Sequence, residues 1–135
     1  VTAHWLLKSE PGAYSFAQMT ADKKTDWTGV RNHLAAKHLK AMQVGDLCFF
    51  YHSNVGKEIV GVVRVTKTFS VDPKDPPFGM VEVAFDKALP SPVTLAAIKN
   101  HPALKDMVFV KQSRLSVSPV TAAEWRAVLA LSAKK

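Results

Sequence analysis

The chain has 135 residues, 47% of them apolar and 21% charged, with one cysteine, Cys48. That length fits one domain spanning residues 1–135, and the composition excludes disordered, collagen-like and disulfide-framed chains. Eighteen Lys and Arg against eleven Asp and Glu give a net charge of +7; such a balance attracts polyanions by counterion release, or serves solubility alone.

Apolar stretches such as Ile59–Val63 and Val128–Leu131 fall far short of the roughly 20 residues that a membrane-spanning helix needs. The start, Val1 to Lys8, lacks the basic region, long apolar run and small-residue exit of a secretory signal. A reducing setting is therefore expected, cytoplasmic or, in a eukaryote, nuclear.

Trp5–Leu7 reads as a buried strand, stopped by the turn Ser9-Glu10-Pro11-Gly12. Ser15 and Gln18 have the spacing of a capping box and open a short helix that turns Phe16 and Met19 inward. Residues Arg31–Gln43 predict a helix whose apolar stripe is Leu34, Ala35, Leu39 and Met42, with His33, Lys37 and Lys40 opposite and His38 at the stripe's edge. Gly45-Asp46 ends it with a tight turn.

Leu47–His52 is an aromatic-rich strand, and Ile59–Phe69 a longer one that Gly61 bends or bulges. A hairpin loop, Ser53–Lys57, joins them. Proline-rich Asp72–Gly79 is a loop, and Met80–Phe85 a strand with one better-buried face. Two short helices are predicted at Thr94–Lys99 and Pro102–Met107, and a half-buried strand at Arg114–Val117. Thr121 and Glu124 form a second capping box, which starts a terminal helix through Trp125, Val128 and Leu129. About five strands with interspersed helices indicate an α+β domain on a small mixed sheet or partly open barrel.

The usual enzyme motifs are absent: no phosphate-binding or dinucleotide-binding glycine loop, no nucleophile elbow, and no zinc-deaminase signature. Cys48 and His52 share a strand face at about 13 Å by strand rise, too far for proton transfer; Cys48 reads as a small core residue.

Polar segments at strand ends are more informative. They are Lys8-Ser9-Glu10-Pro11, Trp27-Thr28-Gly29-Val30-Arg31-Asn32, Tyr51-His52-Ser53 and Ser113-Arg114-Leu115-Ser116-Val117. Each couples hydrogen-bonding side chains to an apolar or aromatic neighbour, as a pocket for a nucleobase requires. Trp27 supplies a stacking face in this reading. Ser9, Asn32, His52 and Ser53 read the base edge, and Lys8, Arg31 and Arg114 hold flanking phosphates. The competing readings are structural. Trp27 serves as a hydrophobic staple, Asn32 as a helix cap, His52 and Ser53 as hairpin residues, and the arginines as surface charges.

The same segments carry a resemblance. Trp5-Leu6-Leu7-Lys8-Ser9-Glu10-Pro11, Trp27-Thr28-Gly29-Val30-Arg31-Asn32, Gly45-Asp46 with Phe50-Tyr51-His52-Ser53, and Arg114-Leu115-Ser116-Val117 with Pro119-Val120 and Glu124-Trp125 resemble, in order, the signatures of the EVE domain family. The resemblance implies a small PUA-like mixed or antiparallel β-barrel of about five to six strands with surrounding short helices. It also implies non-catalytic recognition of a modified nucleobase, a modified cytosine or adenine in DNA, with basic surface on the phosphates. The alternatives are RNA binding and a nucleotide-acting enzyme. Carried over by motif, the binding residues are Lys8, Ser9, Trp27, Val30, Arg31, Asn32, His52, Ser53, Arg114 and Ser116. No cofactor, metal or membrane is implied. The expected partner is nucleic acid carrying a modified base, with any effector protein acting in trans and the chain a monomer. Where the family often has a Trp ahead of the fourth strand, this chain has Phe78, a smaller ring that alters base preference if it lines the pocket.

Overall fold

The computed structural model describes residues 3–12, 14–28, 30, 32–53, 56–74, 78–112 and 114–133. Its strands are β1 (His4–Ser9), β2 (Lys24–Trp27), β3 (Leu47–His52), β4 (Glu58–Val71), β5 (Gly79–Thr94) and β6 (Val117–Val120). They form one sheet in the order β2-β5-β4-β3-β1-β6. The sheet is mixed, because β1 runs parallel to β3 while the other neighbours are antiparallel. Strand number and mixed pairing match the sequence-based expectation. The barrel is not closed: among the described residues the sheet ends at β2 on one side and β6 on the other.

Alternation along the strands divides the core into two layers. Trp5 and Leu7 of β1, with Cys48 and Phe50 of β3, face the first layer, where α1 (Phe16–Asp22) adds Phe16 and Met19 and α2 (His33–Ala41) adds Ala35 and Leu39. Leu6, Phe49 and Tyr51 face the second. There α3 (Leu95–Lys99), α4 (Val108–Lys111) and α5 (Ala122–Ala133) contribute Ile98, Phe109, Trp125 and Val128. Trp125 stacks on Phe49 with centroids 3.8 Å apart. Cys48 is fully buried, as expected of a core thiol, and burial pushes its pKa up.

Local chemistry explains most element ends. Ser15 accepts the Gln18 amide proton and starts α1; Gln18 does not complete the box but donates its side-chain amide to Asp22. Thr121 and Glu124 do form the reciprocal box that opens α5. Gly61 tolerates no side chain, since a Cβ there would sit 2.0 Å from the Phe16 ring, and the β3–β4 and β4–β5 registers both shift beside it. Asp46 does more than end a turn. Buried at 4% exposure, it accepts from the Ala3 and Gln43 amides and from the Trp5 indole N–H at 3.0 Å, tying β1 to the start of β3.

Four further expectations need correction. Leu34 is 40% exposed and Ala36 takes its place in the core, so the buried stripe of α2 lies one position further round. Pro102–Met107 forms turns, fixed where His101 Nδ1 accepts the Ala103 amide proton, and the helix follows at Val108–Lys111. The last strand starts at Val117, not Arg114. β2 had no counterpart in the sequence reading. Among the described residues no helix is long and apolar enough to cross a membrane.

Candidate functional site

The parallel strands β1 and β3 end side by side, with Lys8 opposite Tyr51 and Ser9 opposite His52. At this end of the sheet lies a cavity of about 460 Å³, within the usual range of ligand sites. β1 contributes Lys8 and Ser9, and the segment entering β6 contributes Ser116. The opposite wall comes from Thr25, Asp26 and Trp27 of β2 and from Thr28, Val30 and Asn32 beyond it. Glu10 and Tyr14 complete the lining.

Six predicted residues, Lys8, Ser9, Trp27, Val30, Asn32 and Ser116, therefore meet at one cavity although they come from three distant segments. Of the other four, the three that are described do not line it. Arg31 lies outside the described residues, as do Gly29 and Ser113 of the quoted motifs. Arg114 is exposed and lines neither this cavity nor the second one described below. His52 faces the first core layer, where its Nε2 accepts the Phe16 amide proton at 3.0 Å; burial lowers its pKa against the pull of Glu58. Ser53 lines the second cavity. Phe78 packs against His33, ring centroids 4.9 Å apart, and is not part of the lining.

The cavity's aromatic wall is rigid. Trp27 is 7% exposed and is held edge-on by Phe50, at 5.5 Å and 88°, and by Tyr14, at 6.3 Å and 86°. Thus Trp27 packs in the core and also lines the cavity. The Tyr14 hydroxyl donates to Asp22 at 2.8 Å, and burial is the main reason its pKa is raised.

The polar wall has a defined sense. Ser9 Oγ donates to the Tyr14 carbonyl, so its proton is committed and its oxygen is left to accept. Asn32 is the N-cap of α2: its Oδ1 accepts the Ala35 amide proton at 3.0 Å, which leaves the NH₂ group to donate. Asp26, exposed on β2, also borders the cavity. Lys8 reaches this cavity from the end of β1, and burial lowers its pKa.

Sequence reasoning gave no binding role to Glu10, Tyr14, Thr25, Asp26 or Thr28. Asp26 lies one residue before Trp27 in a four-residue strand whose exposure alternates only in the structure. Among the described residues no group of three His, Cys, Asp or Glu side chains is placed to hold a metal ion.

A family model described as the EVE domain matches residues 3–131. Human thymocyte nuclear protein 1 is 33% identical over an alignment 171 positions long, gaps included, covering 100% of this chain and 76% of that protein. Among solved structures, the Rpa0253 protein of Rhodopseudomonas palustris superposes with a TM-score of 0.92 at 49% identity, covering 97% of this chain and 93% of that one. Human THYN1, solved in complex with 5-methylcytosine containing DNA, gives a TM-score of 0.90 at 31% identity over 99% of both chains.

Proposed function

This chain belongs to the EVE domain family, and from that premise we propose that it is a non-catalytic reader that captures one modified base of a DNA strand in the 460 Å³ cavity. The observation that carries the reading is the convergence of the β1, β2 and β6 signature segments on that cavity. The 5-methylcytosine DNA bound by the human relative supports it.

The lining fits a flipped pyrimidine. The exocyclic amine of cytosine is a donor, which Asp26 or the Ser9 oxygen accepts. Its ring nitrogen and carbonyl are acceptors, which the Asn32 NH₂ serves. Trp27 and Tyr14 bound the ring plane, and Val30 offers an apolar niche for a methyl group. Stacking on an aromatic returns about 1–3 kcal/mol per base, against a few kcal/mol for unstacking. One buried methyl adds about 0.8 kcal/mol, so discrimination by methyl alone is only a few-fold. A misfit that leaves Asp26 or Asn32 unpaired sharpens it. Lys8, Arg31 and Arg114 are the proposed phosphate contacts.

A panel of oligonucleotides, each carrying one modified base, tests this reading. The expected result is tighter binding to one modified DNA strand than to its unmodified counterpart, weakening with salt. Equal affinity for both strands, or preference for matched RNA, overturns it.

A further inference from the structure

A second cavity of about 310 Å³ lies at the same end of the sheet but against its other face. Alternation along β1 and β3 requires this: Ser9 turns toward the first core layer, whereas Lys8 and Tyr51 turn toward the second. The floor is apolar, made by Leu95, Phe109 and Val110. The rim is cationic and hydroxylated, with Lys8, Lys57, Lys99, Tyr51 and Ser53 around it and, among the described residues, no carboxylate in its lining.

The parts are held in place. Tyr51 packs against Phe109 with centroids 5.0 Å apart, and the Lys8 ammonium lies 5.6 Å over the Phe109 ring. Lys57 sits at φ +49°, a left-handed conformation uncommon for a residue with a side chain. There its carbonyl accepts the Leu95 amide proton at 2.8 Å, which fixes the β3–β4 loop end to the start of α3. Burial raises the pKa of Tyr51, so its hydroxyl keeps its proton and can donate.

Lys8 lines both cavities. We propose that the second cavity docks the nucleotide next to the captured base, with its phosphate among Lys8, Lys57 and Lys99 and its sugar or base on the Leu95–Phe109 floor. The strand then passes over the end of β1, one nucleotide on each face of the sheet. This rests on the base-capture reading, and it adds to it a footprint of at least two nucleotides and a site with its own charge.

The test measures binding of single-stranded DNA with one 5-methylcytosine, at several salt concentrations, to the native chain, to a Lys57→Gln/Lys99→Gln variant and to a Lys37→Gln/Lys87→Gln variant. The last removes two exposed lysines that line neither cavity. The proposal expects the first variant to lose about tenfold in affinity and its salt slope to fall by about 0.7 per lysine, with the second variant near native. Equal losses in both variants overturn it, as does no loss in either. The native chain's ratio of modified to unmodified affinity reports the base reading separately. A retained ratio without the Lys57/Lys99 effect removes only this proposal; a lost ratio removes the base reading. Free 5-methyldeoxycytidine monophosphate, titrated alongside, distinguishes a strand from a lone nucleotide: the strand must bind tighter, and parity contradicts the two-cavity footprint.

Discussion

Asn32 uses its Oδ1 to accept the Ala35 amide proton at 3.0 Å, and so caps α2 with one end of its side chain while the residue lines the first cavity. The cap dictates which end is left for a ligand. Asn32→Asp keeps the acceptor that the helix needs but replaces the donor with a second acceptor. Its thermal stability is expected to stay near native while affinity for a modified strand falls about tenfold or more. Asn32→Ala is expected to lose binding and about 1 kcal/mol of stability together. Calorimetry and anisotropy on the two variants check this; full binding by Asn32→Asp contradicts the donor role.

Gly61 has its Cβ position occupied by the Phe16 ring, which also packs edge-on against Phe50 at 5.1 Å. Gly61→Ala is expected to cost about 1–3 kcal/mol through overpacking. Denaturant melts of Gly61→Ala with and without Phe16→Leu check the cause: the smaller side chain at position 16 is expected to recover part of the loss. Additive losses would place the strain elsewhere.

His52 can accept the Phe16 amide proton only when Nε2 is unprotonated, and burial lowers its pKa in the folded chain. Burial lowers His38 as well, with Lys37 adding to it, and lowers His4 despite Asp46. For groups depressed on folding, the unfolded chain binds protons first. Their contribution is complete above the unfolded value of about 6.5 and is lost as pH falls toward the folded values. Urea midpoints are expected to drop between pH 7 and pH 5, and less so in His52→Gln, whose side chain can still accept. A flat or rising profile contradicts this.

Asp46 holds the Trp5 indole, the Ala3 amide and the Gln43 amide at one buried carboxylate. Asp46→Ala leaves those donors without it and is expected to cost about 3 kcal/mol. Chemical denaturation measures the loss, and the Trp5 indole proton should show faster hydrogen exchange. A loss under 1 kcal/mol would mean water replaces the carboxylate at no cost.

Elements with a local chemical start were legible in the sequence: Ser15, Asn32 and Thr121 all accept the backbone proton expected of a helix cap. So was β3, whose aromatics are buried from both sides. β2 was not, because four residues without an apolar run become a strand only by pairing Trp27 with Val81 across β5. That omission hid Thr25 and Asp26, which reach the cavity from the same strand as Trp27. His52 and Ser53 share one strand-end segment, which the sequence alone assigns to the same base edge as Ser9. Strand alternation separates them, one toward Phe16 and the other toward the second cavity.

The central claim is that Trp27, not Trp5 or Trp125, meets the modified base. These are the chain's three tryptophans, so fluorine-labelled tryptophan resolves them in one spectrum. Titration with a strand containing 5-methylcytosine is expected to shift the Trp27 resonance, leave the other two in place, and saturate at lower concentration than the unmodified strand does. Tight binding with Trp27 unmoved, or identical titrations with both strands, would contradict the account.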